Sequence, residues 1–258
     1  MSDAAELAAL IAERGPAVVL TGAGTSTESG IPDFRSATGI WQDVDPFEVA
    51  SIEAFRRDPE RVWRWYGPRI DGLLAAEPNA GHRALAALEQ AGHLTAVVTQ
   101  NIDLLHTRAG TARVVELHGS IRSFVCLRCG RDETLEHILR QLRERAAPVC
   151  PACATILKPG VVMFGELLPV DAFVEAERLV RETGLLLVVG SSLQVWPVAG
   201  LPTETLRAGG ALAILNGEPT PYDDDAALVV RGRAGVVLPD VVELLEAGDS
   251  PVERDAAS

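Results

Sequence analysis

The sequence lacks a hydrophobic run long enough to cross a membrane. Its apolar stretch 185–189 spans five residues, whereas a membrane-spanning helix needs about 20. Residues 1–16 contain acidic residues before the first basic one and no apolar core, so they do not resemble a secretory signal. These absences predict a soluble protein that works in the cytoplasm, where the reducing environment keeps cysteines as thiols.

The sequence also lacks an excess of positive charge. Lysine and arginine total 23 against 36 aspartates and glutamates, which gives a formal net charge of −13. Because binding to nucleic acid needs a basic surface, this balance argues against nucleic acid as a partner and suits basic clients such as lysine-rich protein segments. No internal repeat occurs, and 258 residues suit one large domain or one domain with an insert.

The only four cysteines form two Cys-x-x-Cys pairs separated by twenty residues. They are Cys126, Cys129, Cys150 and Cys153. This spacing is typical of a tetrathiolate zinc site. Two disulfides are disfavoured by the cytoplasmic prediction, and a redox role is disfavoured because neither pair lies in a strand-to-helix frame. A site with four sulfur ligands has no open position, so the zinc is expected to stabilise the fold.

Short β-branched or leucine-rich runs alternate with helical patterns along the chain. The predicted strands are residues 17–21, 94–99, 185–189, 211–215 and 227–230. The predicted helices are residues 79–91, 171–183, 198–208 and 236–247. This alternation predicts an α/β fold in which helices cover both faces of a parallel sheet.

Two stretches, 36–78 and 121–158, interrupt this alternation. The first contains helical patterns and no good strand, and the second carries the cysteines. We expect both inserts to form a smaller lobe beside a larger Rossmann-like lobe made of residues 1–35, 79–120 and 159–258. The chain 1–258 is thus expected to form a single domain.

The first predicted strand leads into a glycine-rich turn, Gly22-Ala23-Gly24, which opens a predicted helix. Glycines allow backbone N–H groups to approach a phosphate, and the start of a helix adds partial positive charge. By itself the turn also suits an ordinary strand-to-helix connection. Small polar loops after two further strands, at 99–103 and 190–192, favour a dinucleotide site at the carboxyl ends of the strands.

Five motifs in a fixed order resemble those of a known family. They are Gly22 to Arg35 (GAGTSTESGIPDFR), Thr99 to Asp103 (TQNID), Glu116 to Gly119 (ELHG), the paired Cys-x-x-Cys and Gly190 to Ser192 (GSS), and they span roughly residues 17 to 235. On these motifs the chain resembles the sirtuins, the NAD-dependent protein-lysine deacylases. The resemblance implies a Rossmann-like domain that holds NAD as co-substrate, a lobe with a structural Zn2+ ion, and an acylated lysine peptide or protein bound between them.

The resemblance also implies roles for individual residues. The residues expected to contact NAD are Gly22, Ala23, Gly24, Thr25, Asp33, Phe34, Arg35, Gln100, Asn101, Ile102, Asp103, Gly190, Ser191, Ser192, Asn216, Glu218 and Ala234. Residues 23–25 are expected at the pyrophosphate, 33–35 in a mobile loop over the nicotinamide ribose, and 101–103 in the nicotinamide pocket. A backbone N–H and a carboxylate there would supply the donor and the acceptor that an amide needs.

By the same resemblance, His118 is expected to be the general base. An imidazole with a pKa of about 6.5 can take a proton at cellular pH without being permanently charged. In the family mechanism the acyl oxygen attacks C1′ of NAD as nicotinamide leaves, and the histidine then activates the ribose hydroxyl that attacks the resulting imidate. The expected products are free lysine, nicotinamide and O-acyl-ADP-ribose. Of the other histidines, His106 is expected to shape the nicotinamide loop, and His82, His93 and His137 to pack or face solvent.

The acyl group that is removed stays open between acetyl and succinyl. The pair Tyr66-x-x-Arg69 resembles the residues with which some sirtuins hold a carboxylate on the acyl group, and a guanidinium and a phenol suit that task. Gly67-Pro68 is expected to interrupt the helix that would place the pair on one face. The loop 33–35 also looks more like that of the deacetylating branches.

Residues 161–166 resemble the substrate-binding strand of the family. The expected substrate contacts there are Val162, Phe164, Gly165 and Glu166. An open backbone edge would receive a peptide by strand addition, while an ordinary core strand is the alternative. The tryptophans Trp41, Trp63, Trp65 and Trp196 are expected to be packing residues.

Two other functions would use the same motifs. A protein mono-ADP-ribosyltransferase would leave label from the adenine moiety on protein. A non-catalytic NAD-sensing scaffold needs no base beside the ribose, so the presence of His118 with Gln100, Asn101 and Asp103 argues against it.

Overall fold

Six parallel strands form the larger of two β-sheets in the computed structural model, which describes residues 2–36 and 39–249. The strands are β1 (Ala17–Thr21), β2 (Leu94–Thr99), β3 (Val114–Glu116), β4 (Gly119–Val125), β5 (Asp132–Thr134), β6 (Lys158–Val161), β7 (Leu185–Val189), β8 (Ala211–Leu215) and β9 (Leu228–Val230). The large sheet has the order β3-β2-β1-β7-β8-β9, and all neighbouring strands in it are parallel. The predicted parallel sheet is confirmed.

Helices cover both faces of this sheet. The α-helices are α1 (Asp3–Arg14), α2 (Pro46–Val49), α3 (Ile52–Arg57), α4 (Pro59–Ala75), α5 (Ala80–Gln90), α6 (Leu105–Ala109), α7 (Leu135–Leu142), α8 (Val170–Glu182), α9 (Leu201–Arg207) and α10 (Ala234–Asp249). Alternate strand residues point to opposite faces, so Val19 and Val97 pack with α1, α5 and α10, while Val18 and Val98 pack with α8 and α9. Burial on both faces explains why these strands are continuous apolar runs.

Most predicted elements agree with the structure. Four predicted strands have the observed bounds, and the fifth begins one residue later than predicted. The sequence patterns do not predict β3, which has only three residues at the edge of the sheet. They also do not predict α1, which buries Leu7 and Ile11 against the sheet. Both elements are stabilised by tertiary contacts, which the local sequence pattern does not show.

The direction of strand addition changes between β1 and β7. The strands β2 and β3 follow β1 towards one edge of the sheet, and β7, β8 and β9 follow towards the other. In open α/β sheets, ligands bind at such a switch point, at the carboxyl ends of the strands. Thr21 pairs with both Thr99 and Val189, so the loops after these three strands begin at the same level.

The smaller sheet is antiparallel, has the order β5-β4-β6 and lies in the segment that carries the cysteines. Its apolar side chains pack against the helical insert, where Trp63 and Tyr66 of α4 join Phe124 and Ile138 in one buried cluster. Trp63 Nε1 also donates a hydrogen bond to the carbonyl oxygen of Leu157 at 2.7 Å. The two inserts therefore share one buried core, which also includes Val161 and Met163 from the segment that follows the second insert.

Helix α4 continues through Pro68, so the prediction that Gly67-Pro68 interrupts it is wrong. A proline inside a helix costs about 3 kcal/mol because one hydrogen bond is lost and the ring crowds the preceding turn. One face of α4 buries four large side chains, namely Val62, Trp63, Tyr66 and Ile70. Each such burial contributes about 1.5–3 kcal/mol, so packing outweighs the cost of the proline.

Within the described part of the chain, no helix is long and apolar enough to span a membrane. The expected lobe boundaries also include residues 1, 37–38 and 250–258, which lie outside the described residues.

Candidate active site

The loops that follow β1 and β7 contact each other backbone to backbone. Gly24 N–H donates a hydrogen bond to the carbonyl oxygen of Gly190 at 2.9 Å, and a Cβ on Gly24 would lie 2.8 Å from that oxygen. Gly190 has a φ of +61°, which favours glycine because it lacks a Cβ. Thr25 Oγ1 donates to the carbonyl oxygen of Val189 at 2.9 Å. The close contact between the two loops is therefore sufficient to explain why positions 24 and 190 hold glycine.

The glycine-rich turn forms a 3-10 helix, Ala23–Ser29. Asn79, just before α5, braces it from outside, since its Nδ2 donates to the carbonyl oxygen of Thr25 at 2.8 Å. The N–H groups of Gly22, Gly24 and Thr25 all donate within the protein. Among the described residues, the N–H of Ala23 is left as the free donor of the turn. An anionic group at the carboxyl ends of these strands would meet this donor at the start of the 3-10 helix.

The loop 100–103 contacts the loops that follow β1 and β7. Gln100 Nε2 donates to Ser191 Oγ at 2.8 Å. Asn101 Nδ2 donates to the carbonyl oxygen of Gly22 and to Ser26 Oγ, both at 3.1 Å. The structure therefore brings together predicted site residues from the loops after β1, β2 and β7.

Asp103 is buried in a polar network that the sequence interpretation misses in part. Its Oδ2 accepts a hydrogen bond from Ser26 Oγ at 2.7 Å, and its Oδ1 accepts one from Leu105 N at 2.9 Å. Ser26 Oγ also lies 3.4 Å from Nε2 of His82, which is fully buried. Because Ser26 gives its own proton to Asp103, His82 must present Nε2–H to Ser26. Ser26 and His82 thus orient the Asp103 carboxylate.

His118 lies in the turn between β3 and β4, beside the loop 100–103. Its Nδ1 lies 3.0 Å from the carbonyl oxygen of Gln100. A carbonyl can only accept, so Nδ1 carries the proton and Nε2 is an unprotonated acceptor. Burial lowers the pKa of His118 below its ordinary value, and the contact with Gln100 opposes this in part. The imidazole is therefore neutral at pH 7 and able to take a proton at Nε2.

An aromatic column connects the 33–35 loop to helix α4. Phe34 stacks on Trp41 with ring centroids 5.2 Å apart, and Trp41 stacks on Trp65 at 5.7 Å. The guanidinium of Arg69 lies 4.0 Å above the ring of Trp65. Trp41 and Trp65 do pack, as the sequence interpretation expects, but they pack between predicted site residues, which that interpretation misses.

Tyr66 and Arg69 lie three residues apart on the continuous helix α4. Burial raises the pKa of the Tyr66 phenol, so the hydroxyl stays protonated and can donate. Arg69 donates to the carbonyl oxygen of Trp65 at 2.6 Å. Among the described residues, no carboxylate forms an ion pair with Arg69. The pair thus provides an unpaired guanidinium beside a phenol.

The remaining predicted NAD contacts lie around the same edge of the sheet. Asn216 and Glu218 follow β8, and Asn216 Nδ2 donates to the carbonyl oxygen of Glu218 at 2.7 Å. Ala234 begins α10, where Gly235 N–H donates to the carboxylate of Glu28 at 2.8 Å. Asp33 Oδ1 accepts from the backbone N–H groups of residues 35 and 36 and so shapes its own loop.

Ile102 joins the two lobes. Its carbonyl oxygen accepts a hydrogen bond from Ile121 N at 3.3 Å, and its side chain packs on the core of the smaller lobe. The neighbouring residues 100, 101 and 103 all contact the large lobe. The loop 100–103 therefore lies where the two lobes meet.

The segment 161–166 has a less open backbone edge than the sequence interpretation expects. Val162 N–H donates to the carbonyl oxygen of His118 at 2.8 Å. Phe164 N–H donates a hydrogen bond to the carbonyl oxygen of Ala50 at 2.9 Å, and the carbonyl oxygen of Phe164 accepts one from Ile52 N–H at 3.0 Å. Of the predicted substrate residues, Gly165 is exposed and Glu166 is partly exposed. A substrate peptide would find its open backbone mainly at this end of the segment.

The four cysteines form a compact cluster. Their sulfur atoms lie within 4.8 Å of one another, with separations of 3.5 Å between Cys126 and Cys153 and 3.6 Å between Cys129 and Cys150. These distances exclude disulfides, whose S–S bond is about 2.05 Å. Tetrahedral zinc with Zn–S bonds of about 2.3 Å places sulfurs about 3.8 Å apart. The residues therefore fit a structural zinc ion.

The sequence and the fold are similar to those of known proteins. The Sir2 family profile matches residues 22–197. An NAD-dependent protein deacetylase of Sulfolobus acidocaldarius is 45% identical over 247 residues, which cover 95% of this chain and 96% of that protein. An NAD-dependent protein deacylase of Thermococcus kodakarensis is 43% identical over 251 residues, which cover 96% of this chain and 97% of that protein.

Solved structures show the same similarity. A structure of a Sir2 histidine-to-alanine variant with a deacetylated p53 peptide and 3′-O-acetyl ADP ribose has a TM-score of 0.89 and 42% identity, and the match covers 93% of this chain and 97% of that one. A structure of Sir2Tm bound to a propionylated peptide has a TM-score of 0.83 and 41% identity, with coverage of 95% and 98%. The similarity therefore includes both lobes.

Proposed function

This chain belongs to the Sir2 family, the sirtuins, and we propose that its active site lies at the carboxyl ends of β1, β2 and β7. The chain is an NAD-dependent protein deacylase, with NAD as co-substrate and acylated lysine in peptides or proteins as the other substrate. The main support for this location is the position of His118, a neutral imidazole whose Nδ1–H donates to the carbonyl oxygen of Gln100.

His118 acts as the general base in this proposal. The hydrogen bond from Nδ1–H to the carbonyl oxygen of Gln100 fixes the tautomer, so Nε2 is the atom that takes the proton of the ribose hydroxyl. No other described residue hydrogen-bonds to Nε2 of His118. The lowered pKa keeps this atom unprotonated at cellular pH.

NAD, when bound, supplies the C1′ carbon that the acyl oxygen attacks and carries the acyl group away as O-acyl-ADP-ribose. The protein holds it with the loops 22–25, 100–103, 190–192 and 216–218, with Ala234 at the start of α10 and with the 33–35 loop over the ribose. The free N–H of Ala23 and the hydroxyls of Ser191 and Ser192 suit phosphate and ribose oxygens. The buried Asp103 carboxylate and its neighbouring backbone suit a carboxamide.

We propose that the acyl pocket accepts acetyl groups and also acyl groups that end in a carboxylate. Helix α4 continues through Pro68, so Tyr66 and Arg69 share one side of the helix. A guanidinium without an acidic partner, beside a protonated phenol, suits a carboxylate at the end of the acyl chain. The rings of Phe34, Trp41 and Phe164 provide the apolar surface for the rest of the acyl group.

Zinc has a structural role in this proposal, because the four cysteines leave no open coordination position. We also propose the division into a large lobe (1–35, 79–120 and 159–258) and a small lobe (36–78 and 121–158), and a cytoplasmic location. The buried cluster that the two inserts share supports the division into lobes, and the unbridged cysteines support the cytoplasmic location.

The experiment that tests the function uses the purified zinc-loaded chain, NAD, and matched peptides with acetyl-lysine, succinyl-lysine or unmodified lysine. Mass spectrometry should find deacylated peptide, nicotinamide and O-acyl-ADP-ribose in equal amounts from the acylated peptides. The unmodified peptide is the control and should give none of them. Adenine label on protein without deacylated peptide would instead indicate an ADP-ribosyltransferase.

A further inference from the structure

Lys158 is the only lysine of the chain, and it is 3% exposed. It begins β6, eight residues before Glu166 at the end of the proposed substrate segment. A buried ammonium is rare in proteins unless it is paired and fully hydrogen-bonded. Among the 23 lysines and arginines of the chain, all the others are arginines, so we looked for a physical reason for lysine at this position.

The ammonium of Lys158 has three donors, and the structure provides three acceptors. Nζ lies 2.9 Å from Glu166 Oε2, 2.7 Å from the carbonyl oxygen of Val161 and 3.0 Å from that of Pro159. A compact ammonium can direct its three N–H groups at three converging acceptors, whereas a planar guanidinium cannot. This geometry explains why the position holds lysine.

The acceptor on Glu166 closes the turn at the end of the segment. Glu166 Oε2 also accepts a hydrogen bond from Met163 N at 2.8 Å. Gly165 within the turn has a φ of +86°, which lets the chain reverse there. The ion pair between Lys158 and Glu166 therefore holds the exposed end of the segment, where Gly165 lies.

The acceptor on Val161 connects Lys158 to the general base. The peptide group between Val161 and Val162 accepts from Lys158 Nζ through its carbonyl oxygen and donates to the carbonyl oxygen of His118 through its N–H, at 2.8 Å. Hydrogen bonds on both sides of one peptide group polarise each other and strengthen together. Lys158 is thus one peptide group away from the backbone of His118.

We propose that Lys158 is a positioning residue for deacylation. Its ammonium holds the substrate segment 162–166 and the backbone of His118 in one arrangement, so that a bound acyl-lysine and the base keep a fixed relative position. This inference rests on the proposed active site. It predicts that loss of the ammonium harms the use of the peptide and the turnover, and leaves NAD binding intact.

The test compares Lys158→Met, Lys158→Arg and Glu166→Gln with the unmutated chain, and uses Arg145→Met as a matched control for loss of a basic side chain on the exposed surface of the same lobe. For an acetyl-lysine peptide, Lys158→Met should lower kcat/KM by about 10²-fold, the size expected for misplacement of reacting groups. Lys158→Arg should recover part of this loss. Glu166→Gln should act mainly on the peptide KM, and the affinity for ADP-ribose should stay within about twofold in all variants.

An unchanged kcat/KM in Lys158→Met, with the unmutated chain active, would overturn the proposal and leave the function standing. An inactive unmutated chain would instead contradict the function.

If Lys158→Met does not fold, chemical labelling of the lysine tests whether the ion pair with Glu166 is closed, because Lys158 carries the only ε-amine. An N-hydroxysuccinimide ester should label Lys158 in the denatured chain and leave it unlabelled in the folded zinc-loaded chain. In the folded Glu166→Gln variant, Lys158 should be labelled faster than in the folded unmutated chain. Labelling of the folded chain within about tenfold of the denatured rate would show that the ion pair is open and would refute the proposal.

Discussion

The imidazole rings of His82 and His106 lie beside each other in the protein interior, with centroids 4.8 Å apart. His82 reaches Ser26 at 3.4 Å, and His106 Nε2 reaches Thr21 Oγ1 at 3.0 Å. Burial lowers the pKa of His82 to about 4 and that of His106 to about 3, and charge on His82 lowers the pKa of His106 further. Both rings are therefore neutral in the folded protein at pH 7.

The first prediction concerns acid stability. In the unfolded chain both histidines titrate near pH 6.5, whereas in the folded protein they resist protonation down to about pH 4. The unfolded state therefore binds more protons in this window, and the free energy of unfolding should fall as the pH falls from 6.5 towards 4. The expected loss is up to about 1.4 kcal/mol per pH unit for each histidine.

Urea unfolding at several pH values measures this slope, with bound zinc followed separately because acid also releases zinc. His106→Gln is the informative variant, since it should reduce the slope by about one proton. An identical slope in the variant and the unmutated chain would show that His106 does not contribute.

The second prediction concerns the general base. His118→Ala should lower turnover by about 10²-fold or more, because proton transfer from the ribose hydroxyl loses its acceptor. Binding of NAD should be retained, because His118 is expected to act in proton transfer and to contribute little to the affinity for NAD. Steady-state kinetics and isothermal titration with ADP-ribose check the two parts. The control is His137→Ala on α7, which should keep full activity, and full activity of His118→Ala would rule out this assignment.

The third prediction concerns the pH dependence of the reaction. The base must be unprotonated, so kcat/KM should fall on the acid side as His118 takes a proton. Because burial lowers the pKa of His118, the midpoint of this fall should lie below pH 6.5, and more than half of the maximal activity should remain at pH 6.5. A midpoint above pH 6.5 would contradict the lowered pKa.

The fourth prediction concerns zinc. Cys126→Ser removes one of four ligands from a site that is built into the core of the smaller lobe. The variant should lose zinc, unfold at lower urea concentration and expose the apolar cluster to a hydrophobic dye. Metal analysis of the unmutated chain should find one zinc per chain. Well under one zinc per chain in a fully folded sample would be evidence against a structural metal.

The fifth prediction concerns the choice of acyl group. Arg69→Met should lower kcat/KM for succinyl-lysine by about 10²-fold and leave acetyl-lysine nearly unchanged, because a buried carboxylate without its partner is costly whereas a methyl group loses nothing there. Tyr66→Phe should have a smaller effect in the same direction.

Arg64→Met is the matched control for this comparison, since Arg64 is an exposed arginine on the same helix. It should change neither substrate. Equal losses on both peptides in Arg69→Met would mean that Arg69 supports the fold alone. An unmutated chain without activity on succinyl-lysine would restrict the function to deacetylation.

The local sequence was enough to predict the elements that are defined by their own residues. The strand runs around Val19 and Leu187 are buried on both faces and need no partner to be recognised. The cysteine spacing predicted the metal cluster, because two short turns with the same chemistry can converge on one ion. The glycine-rich turn was predictable because it occupies a short motif of its own, whereas the role of His118 stays a prediction.

The tertiary structure alone decided the features that depend on residues far apart in the chain. Pro68 stays inside α4 because the face containing Trp63 and Tyr66 packs on the cysteine-bearing insert, and a local rule for proline cannot include that contact. The neutral state of His82 and the pairing of Lys158 arise in the same way. Burial and the positions of acceptors set the cost of a charge, and only the folded chain determines both.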